Sequence, residues 1–327
     1  MKVTVVGAGA WGTTLARILC RSEHQVTLWG HDPGHLQDLA REGVNARYLP
    51  GIPLPSTLCY ETDLPRAVPG RDCVIVAVPS KGFRATAVKA LSDYNGLVVS
   101  VTKGIEYESG LTMCGVVRAI APGAQVAALS GPTLALEVAR DMPTAIVAAS
   151  EDHRVAQHLQ QLFHRPTFRV YTSTDPLGVE LGGALKNVMA IAAGVGDGLG
   201  FGDNSKAALI TRGIVEIRRL GVACGAQTET FSGLSGLGDL TVTCYSRLSR
   251  NRGLGERLGR GEKLETILAE TVTVAEGYPT ARAAFQLAQR LKVVTPIIEQ
   301  VYQLLYEGKN VARALQDLTS RESKAED

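Results

Sequence analysis

Short apolar runs alternate with amphipathic segments over the first half of the chain. The runs are largely uninterrupted by polar residues, as is typical of strands buried on both faces of a parallel sheet. We assign strands to Lys2–Val6, Gln25–Trp29, Asp72–Val78, Leu97–Val101, Val126–Leu129, Thr144–Ala148 and Phe168–Tyr171, with helices such as Gly12–Cys20, Gly110–Ile120 and His153–Phe163 between them. This alternation predicts an α/β fold with a doubly wound, mainly parallel sheet.

The second half of the chain has helical periodicity and no strand-like runs. Its long segments, rich in Ala, Leu and Gly, are Pro176–Gly198, Ser205–Cys224, Leu254–Leu258, Ala281–Leu291 and Pro296–Tyr306. In the last segment Ile298, Val301 and Leu305 recur at helical spacing. The chain has 327 residues, about twice the size of a common domain. We therefore predict two domains, residues 1–175 around the sheet and residues 176–327 all-helical.

Composition and charge exclude several classes of function. The chain has 34 Lys and Arg against 32 Asp and Glu, a net charge of +2, so we expect neither nucleic acid nor a membrane as a partner. The six cysteines form no Cys-x-x-Cys pair and no cluster with histidine, so we expect no metal. Strand-like residues begin at Lys2, and the longest small-apolar region, Val188–Phe201, is too short to span a bilayer. We therefore expect a cytoplasmic protein without a signal peptide.

A glycine-rich loop follows the first predicted strand directly. It reads Gly7-Ala8-Gly9-Ala10-Trp11-Gly12 and opens a helix. In a dinucleotide-binding loop of this spacing, Gly7 allows the tight turn, Gly9 lets a pyrophosphate approach the backbone, and Gly12 lets helix and strand pack closely. The helix N-terminus then holds the phosphates. A glycine turn without a ligand is the alternative, but the strand–loop–helix context favours a Rossmann-like NAD(P) site.

The end of the second predicted strand should meet the adenosine ribose. It reads Trp29-Gly30-His31-Asp32, without an acidic residue at the strand end itself. Asp32 could accept a hydrogen bond from a ribose 2′-hydroxyl, and His31 could meet a 2′-phosphate or lie in solvent. Because a carboxylate placed directly there would repel NADP, its displacement indicates that both NAD and NADP are accepted.

One lysine interrupts the apolar helix that begins the second half. The helix face that contains this lysine carries Val179, Gly183, Lys186, Ala190 and Ala193. The opposite face, which we expect to be the core face, carries Leu181, Leu185, Val188, Ala192 and Val195. Small neighbours leave Lys186 accessible to a ligand, and desolvation would suit it to act as a general base. An exposed lysine on a small-residue helix is the alternative, and the spacing alone favours it.

Three further segments carry polar groups at positions suited to ligands. Ser249-Arg250-Asn251-Arg252 follows a loop containing Gly238-Asp239, and a hydroxyl, a guanidinium and an amide side by side can hold a phosphate dianion. A turn with exposed charges fits the spacing equally well. Lys103-Gly104 and Ser130-Gly131-Pro132-Thr133 each follow a predicted strand, at the sheet edge where ligands of α/β folds collect. Routine turns between strand and helix are the alternative for both.

Taken in order, these motifs resemble those of the bacterial NAD(P)-dependent sn-glycerol-3-phosphate dehydrogenases. The matching segments run from residue 7 to residue 277 and cover essentially the whole chain: Gly7–Thr13, Leu28–Asp32, Thr102–Gly104, Ser130–Thr133, Gly182–Val188, Ala208–Gly213, Gly236–Leu240, Ser249–Asn251 and Val274–Gly277. Several unrelated motifs in one order are more specific than any single motif.

The resemblance implies reversible hydride transfer between sn-glycerol 3-phosphate and dihydroxyacetone phosphate, with NADP(H) or NAD(H) and without a metal. It implies that Lys186 is the catalytic acid/base and also contacts substrate. The other implied substrate-binding residues are Lys103, Gly131, Thr133, Asp239, Ser249, Arg250 and Asn251. The implied cofactor-binding residues are Gly7, Gly9, Ala10, Trp11, Gly12, His31, Lys103, Ala135, Arg250, Val274 and Glu276. It further implies a supply of glycerol 3-phosphate for phospholipid synthesis.

Two other functions fit part of the pattern. A β-hydroxyacid dehydrogenase shares the α/β-plus-helical plan and a helical lysine, but it would need a carboxylate site where Ser249-Arg250-Asn251 suits phosphate. A non-catalytic NAD(P)-binding sensor would be expected to lack Lys186, Lys103 and Asp239, all of which are present. We expect a homodimer that acts on a small-molecule substrate.

Overall fold

The computed structural model describes residues 1–270 and 274–320, and its contacts divide the chain into two compact units. Unit 1 comprises residues 1–106 and 111–180, and unit 2 comprises residues 107–110 and the described residues from 181 onward. All strands of the described residues belong to unit 1. They are β1 (Lys2–Val6), β2 (Gln25–Trp29), β3 (Val44–Asn45), β4 (Leu49–Pro53), β5 (Cys59–Glu61), β6 (Cys73–Val76), β7 (Leu97–Ser100), β8 (Gln125–Ser130), β9 (Thr144–Ala149) and β10 (Phe168–Ser173).

Eight of these strands form one sheet, in the order β10-β9-β8-β7-β6-β1-β2-β5. All neighbours pair in parallel except β8 and β9, which are antiparallel with Ser130 opposite Val147. The strand order reverses beside β1, and ligands of such sheets bind at the carboxyl ends of the strands at this point. The prediction of a doubly wound, mainly parallel, Rossmann-like sheet is confirmed.

The strands that the sequence did not predict are β3, β4 and β5. β3 and β4 form a separate antiparallel pair, and β5 is a three-residue strand at the edge of the sheet, beside β2. β4 contains Pro50 and Pro53, and every residue of β5 is at least partly exposed. These strands therefore lack the continuous apolar run that identifies the buried ones. Among the predicted strands, Lys2–Val6 and Gln25–Trp29 have the observed bounds.

The other regular elements of the described residues are helices. Those preceding the second half are α1 (Ala10–Cys20), α2 (Pro33–Glu42), α3 (Leu64–Ala67), α4 (Ser80–Leu91), α5 (Met113–Ile120), α6 (Ala135–Ala139) and α7 (His153–Phe163). The second half contains α8 (Pro176–Gly198), α9 (Asp203–Ala223), a 3-10 turn (Thr228–Ser232), a π-helical turn (Leu234–Gly238), α10 (Asp239–Tyr245), α11 (Arg250–Gly259), α12 (Leu264–Glu270), α13 (Gly277–Leu291), α14 (Pro296–Tyr306) and α15 (Val311–Thr319). The predicted helical second half is thus confirmed for the described residues. Across the same residues, no helix is both long and apolar enough to cross a membrane.

Glycines allow α8 and α11 to pack backbone against backbone in unit 2. A Cβ at Gly194 would lie 2.0 Å from the Arg252 carbonyl oxygen, and a Cβ at Gly255 would lie 2.0 Å from the Ile191 carbonyl oxygen. One turn further along α8, Gly198 is packed almost as tightly. Any larger residue would push the two helices apart, because close-packed backbone has no room to yield. Part of the high glycine content, 35 of 327 residues, therefore has a packing cause.

Candidate functional site

The glycine loop of unit 1 has the geometry of a dinucleotide-binding loop. Gly7 has a φ of +126°, which only glycine adopts without strain, and its N–H donates to the Trp29 carbonyl oxygen at 2.9 Å. A Cβ at Gly12 would lie 1.9 Å from the Gly7 carbonyl oxygen, so only glycine fits there. A Cβ at Gly9, in contrast, would have no heavy atom of the described residues within 4 Å. Because α1 begins at Ala10, the N–H groups of its first turn lie at this loop, and the loop fits a pyrophosphate.

A fully buried asparagine, which the sequence analysis missed, holds this loop in place. The Asn45 side-chain amide donates to the Ala8 carbonyl oxygen at 3.0 Å and to the Thr13 hydroxyl oxygen at 2.8 Å. Asn45 belongs to β3, one of the unpredicted strands, so no local pattern connects it to the loop. The expected cofactor residues Ala10 and Trp11 are partly buried on the first turn of α1, and Trp11 packs against the core of unit 1.

The two residues expected near the ribose have different surroundings. Asp32 is the N-cap of α2: its carboxylate accepts a hydrogen bond from the His35 N–H at 3.1 Å and lies 3.8 Å from the Arg47 guanidinium. The hydrogen bond from His35 lowers the pKa of Asp32, so this carboxyl stays ionised at neutral pH. His31 is exposed at the end of β2. The carboxylate expected to meet a ribose hydroxyl therefore also caps a helix.

Three expected substrate-binding residues meet at one backbone carbonyl of unit 1. Lys103, just after β7, donates from Nζ to the Gly131 carbonyl oxygen at 2.9 Å. The Thr133 hydroxyl donates to the same oxygen at 3.1 Å. Gly131 follows β8, where a Cβ would lie 3.1 Å from the Ile146 Cα. The two segments expected at the carboxyl edge of the sheet are therefore brought together.

Ala135, which the resemblance assigns to the cofactor, lies beside the helix that carries the glycine loop. It is the first residue of α6. The Thr14 hydroxyl donates to the Ala10 carbonyl oxygen at 2.9 Å and lies 3.3 Å from the Ala135 carbonyl oxygen. This shared hydroxyl fixes the start of α6 next to the first turns of α1.

Lys186 is buried in unit 2, in contact with two polar side chains. Its Nζ lies 2.9 Å from an Asp239 carboxylate oxygen and donates to the Thr243 hydroxyl at 2.6 Å. Thr243 in turn donates to the Asp239 carbonyl oxygen at 2.6 Å, one turn back along α10. The side chains of Lys186 and Asp239 are only 7% and 2% exposed. The alternative of an exposed lysine on a small-residue helix is therefore wrong.

Two further expectations for this region are also wrong. Instead of one core face, α8 buries both: Val179 and Ala190 on the lysine side are as inaccessible as Leu185 on the opposite side. The cause is the close packing of the π-helical turn and α11 against α8. Asp239 is not in a loop, since it is the first residue of α10 and is buried. A carboxylate is favourable in the first turn of a helix because it faces the positive end of the helix dipole.

The predicted phosphate segment forms the N-terminus of a helix rather than a turn. Ser249 is the N-cap of α11, and its hydroxyl oxygen accepts a hydrogen bond from the Arg252 N–H at 3.2 Å. The Asn251 side chain is held on two sides, because it donates to Asn187 Oδ1 at 2.9 Å and accepts from the Gly277 N–H at 2.8 Å. A helix N-terminus that carries a serine and an arginine suits a phosphate, because backbone N–H groups and the helix dipole add to the side chains.

Arg250 and Glu276 influence each other in unit 2. Arg250 is the first residue of α11, and part of its side chain is exposed. Desolvation lowers the pKa of its guanidinium, and the negative charge of Glu276 opposes this change. Val274 is exposed and Glu276 half-buried just before α13. The expected cofactor residue Glu276 thus lies near Arg250, at the start of the helix that carries the expected phosphate residues, and Val274 precedes Glu276 by two residues.

Thr243 and Asn187 are polar residues of this site that the sequence analysis missed. Thr243 lies four residues after Asp239, which is one helical turn, so the spacing would have paired them had Asp239 been assigned to a helix. Asn187 is next to Lys186 in the sequence, but neighbouring residues of a helix point in different directions. Its contact with Asn251, 64 residues away, has no local signal.

Two family models together match most of the chain. The model for the NAD-dependent glycerol-3-phosphate dehydrogenase N-terminus matches residues 2–156, and the model for the C-terminus of the same enzymes matches residues 175–316. The chain belongs to the NAD-dependent glycerol-3-phosphate dehydrogenase family. The resemblance inferred from the motifs is confirmed.

Individual members of the family are similar over their full length. Curated NAD(P)+ glycerol-3-phosphate dehydrogenases of Chlorobium phaeobacteroides and Syntrophotalea carbinolica are 46% and 48% identical to this chain over 331 residues, which covers all of this chain and 99% of each relative. The crystal structure of glycerol-3-phosphate dehydrogenase from Coxiella burnetii has a TM-score of 0.94 at 37% identity, over 98% of this chain and 99% of that one. The expected class of cofactor, NAD(P), is that of the family. Over residues 1–270 and 274–320, no group of three or more His, Cys, Asp or Glu side chains is arranged to hold a metal ion.

Proposed function

We propose that this protein interconverts sn-glycerol 3-phosphate and dihydroxyacetone phosphate with NADPH or NADH. Family membership supports the reaction class. The observation that carries the assignment of residues is the buried Lys186, held by Asp239 and Thr243. A non-catalytic sensor would have no need of a buried lysine held in this way. A phosphorylated substrate is favoured over a simple hydroxyacid by the N-terminus of α11, where Ser249 is the N-cap and Arg250 supplies a guanidinium.

Lys186 is the proposed acid/base. When bound, the reduced nicotinamide supplies a hydride to C2 of dihydroxyacetone phosphate. The Lys186 ammonium donates its proton to the C2 oxygen, which becomes a hydroxyl, and in the reverse direction the neutral amine removes that proton. Asp239 and Thr243 orient Nζ, and the ammonium charge stabilises the negative charge that develops on the oxygen.

The remaining proposed substrate contacts lie in both units. In unit 1, the convergence of Lys103 and Thr133 on the Gly131 carbonyl supports a joint role for these three residues. In unit 2, the Ser249 oxygen accepts a hydrogen bond from the protein, which leaves its hydroxyl proton for an anion. The full proposed set is Lys103, Gly131, Thr133, Lys186, Asp239, Ser249, Arg250 and Asn251.

We assign residues 1–175 as the NAD(P)-binding domain and residues 176–327 as the substrate-binding and catalytic domain, with a few residues of each assigned to the other ligand. The open approach at Gly9 and the start of α1 at Ala10 support a pyrophosphate held by this loop. The capping role of Asp32 and the exposure of His31 support acceptance of both NADPH and NADH. The full proposed set is Gly7, Gly9, Ala10, Trp11, Gly12, His31, Lys103, Ala135, Arg250, Val274 and Glu276.

The reaction is tested by following the absorbance of the reduced nicotinamide with dihydroxyacetone phosphate, in parallel with NADPH and NADH. We expect rapid oxidation of at least one cofactor, and the two rates measure the preference. Arg250→Ala should mainly raise the KM for dihydroxyacetone phosphate, because a positive charge is lost from the phosphate site. Equal rates of the intact enzyme on unphosphorylated dihydroxyacetone would contradict the phosphate assignment.

We further propose that the enzyme is a cytoplasmic homodimer that supplies glycerol 3-phosphate for phospholipid synthesis. Leu199 and Phe201 are large apolar side chains exposed on unit 2, and exposed apolar residues support an association surface. Sedimentation at micromolar concentration that shows only monomer would contradict the dimer. Cells without the enzyme should require added glycerol 3-phosphate for phospholipid synthesis.

A further inference from the structure

A buried charge network in unit 2 is centred on Asp197, near the C-terminus of α8. One carboxylate oxygen of Asp197 lies 2.7 Å from Lys206 Nζ, and the other lies 2.6 Å from Arg252 Nε. Arg252 also pairs with Glu256 at 3.0 Å. Asp197, Lys206 and Arg252 are only 11–12% exposed. The carboxylates of Asp197 and Glu256 are thus paired with the cations of Lys206 and Arg252, as buried charges require.

One arm of the network fixes α8 to the start of α11. Arg252 lies in the first turn of α11, two residues after Arg250 and next to Asn251. Gly194 already brings the backbones of the two helices together at Arg252. Contact through glycine sets the distance between the helices, but it offers no side chain to oppose sliding or rotation. The ion pair between Asp197 and Arg252 supplies that constraint in the first turn of α11.

The other arm reaches α10 through Lys206, in the first turn of α9. The Lys206 Nζ lies 5.1 Å from the centroid of the Tyr245 ring, and Tyr245 is the last residue of α10. A cation over an aromatic face is attracted by the ring. The same helix carries Asp239 and Thr243, which hold Lys186. Asp197 therefore links α8 to both helices whose residues complete the proposed site of unit 2.

Asp197 itself is remote from the reacting groups. It follows Lys186 by 11 residues on the same helix, about 16 Å at the rise of an α-helix. Any effect on the reaction must act through Arg252 and Lys206. An apolar cluster could pack as tightly in several registers, whereas the charge pairs favour the one register that keeps Lys206 and Arg252 beside Asp197.

We propose that Asp197 is a positioning residue that keeps the phosphate-binding start of α11 and the lysine-holding α10 in register with Lys186 on α8. This inference rests on the proposed function. A shift of about 1 Å at a site of this kind changes rates up to about a hundredfold, so the contribution is measurable.

The test compares Asp197→Asn with wild type on dihydroxyacetone phosphate and on unphosphorylated dihydroxyacetone, with NADPH. The variant keeps the shape of the side chain and removes its charge. The ratio measured is kcat/KM on dihydroxyacetone phosphate divided by kcat/KM on unphosphorylated dihydroxyacetone. We expect this ratio to fall by about tenfold, because the phosphate residues lose their register. Arg260→Gln is the matched control: Arg260 pairs with Glu256 at the exposed end of the same network and does not contact Asp197, so its ratio should equal that of wild type.

Each outcome decides between a positioning role and a merely structural role for Asp197. An unchanged ratio, or an equal loss of rate on both substrates with a lower melting temperature, would show a merely structural role and overturn the proposal. If Asp197→Asn does not fold, Arg252→Gln breaks the α11 arm and leaves the pair of Asp197 with Lys206. It should change the ratio in the same direction, and an unchanged ratio again overturns the proposal. A wild-type protein inactive on dihydroxyacetone phosphate would overturn the proposed function and this inference together, whereas an active wild type with an unaffected variant overturns the inference alone.

Discussion

The Lys186 ammonium and the Asp239 carboxylate lie 2.9 Å apart in unit 2, and both side chains are almost completely buried. Removal of one partner of such a pair leaves an uncompensated buried charge, which typically costs about 3–5 kcal/mol. Loss of either partner of the contact that orients the proposed acid/base should therefore also destabilise unit 2. Catalysis and stability are coupled at this pair, so variants must be examined for both.

Replacement of Lys186 by Ala should abolish turnover and leave cofactor binding largely intact, because the glycine loop belongs to unit 1. It should also lower the free energy of unfolding by about 3–5 kcal/mol, since the Asp239 carboxylate loses the positive charge that faces it. Turnover is measured by nicotinamide absorbance, NADPH binding by fluorescence titration, and stability by urea unfolding. Lys263→Ala, at an exposed lysine of the same unit, is the control and should change none of the three. A folded Lys186→Ala protein that turns over like wild type would refute the acid/base assignment.

Alanine at two glycines of the glycine loop should affect two different properties, cofactor affinity at Gly9 and thermal stability at Gly12. At Gly9 a Cβ meets no heavy atom of the described residues within 4 Å, so Gly9→Ala should keep its melting temperature but weaken NADPH binding by about tenfold, because the methyl group obstructs the pyrophosphate. At Gly12 a Cβ would lie 1.9 Å from the Gly7 carbonyl oxygen, so Gly12→Ala should lower the melting temperature. Calorimetric melting and fluorescence titration separate the two effects. Unaltered NADPH affinity in Gly9→Ala would argue against a phosphate at this position.

Most buried strands of the sheet were predictable because their apolar residues form nearly continuous runs. β1 and β2 have the predicted bounds for this reason, whereas the short edge strand β5 carries no such run. The sequence also does not indicate that β9 runs antiparallel to β8, because a strand buried on both faces has the same composition in either direction.

The local motifs of the site were predictable, but the contacts between them were not. The spacing of Gly7, Gly9 and Gly12 reflects the backbone geometry of one turn, and that geometry is local. The burial of Lys186 depends on Asp239 and Thr243, which lie more than 50 residues away in the sequence. Helical periodicity describes one helix at a time, and it cannot show that a second helix covers the polar face.

Two neighbouring glycines of α11 should differ in the sign of their effect on stability. A Cβ at Gly255 would lie 2.0 Å from the Ile191 carbonyl oxygen, so Gly255→Ala should lower the free energy of unfolding by about 1–3 kcal/mol as α8 and α11 are pushed apart. Gly253 has no atom of the described residues within 4 Å of its Cβ position. Gly253→Ala should therefore raise the free energy by about 0.5–1 kcal/mol through its better helix propensity. Urea unfolding of both variants checks this, and destabilisation of equal size at both positions would mean that helix packing is not the cause.

The stability of unit 1 should depend on pH through Glu180, in the second turn of α8. Its carboxylate accepts a hydrogen bond from the Cys114 N–H at 3.0 Å, at the start of α5. Burial raises the pKa of Glu180, and hydrogen bonds from Thr112 and Cys114 only partly oppose this. The folded protein therefore binds the proton more tightly than the unfolded chain. The stabilisation is complete below the ordinary carboxyl pKa of 4.5 and is lost as the pH rises through the folded value.

Glu180→Gln should remove this dependence, because the amide keeps a hydrogen-bond acceptor for Cys114 and cannot ionise. We expect the free energy of unfolding of the variant, relative to wild type, to rise with pH by at most about 1.4 kcal/mol per pH unit above the ordinary carboxyl pKa. Urea unfolding of both proteins from about pH 5 to about pH 8 measures the difference. Glu229→Gln, at an exposed carboxylate, should show a constant difference from wild type. A difference for Glu180→Gln that stays constant or falls with pH would mean that the buried carboxyl is not stabilised in its protonated form.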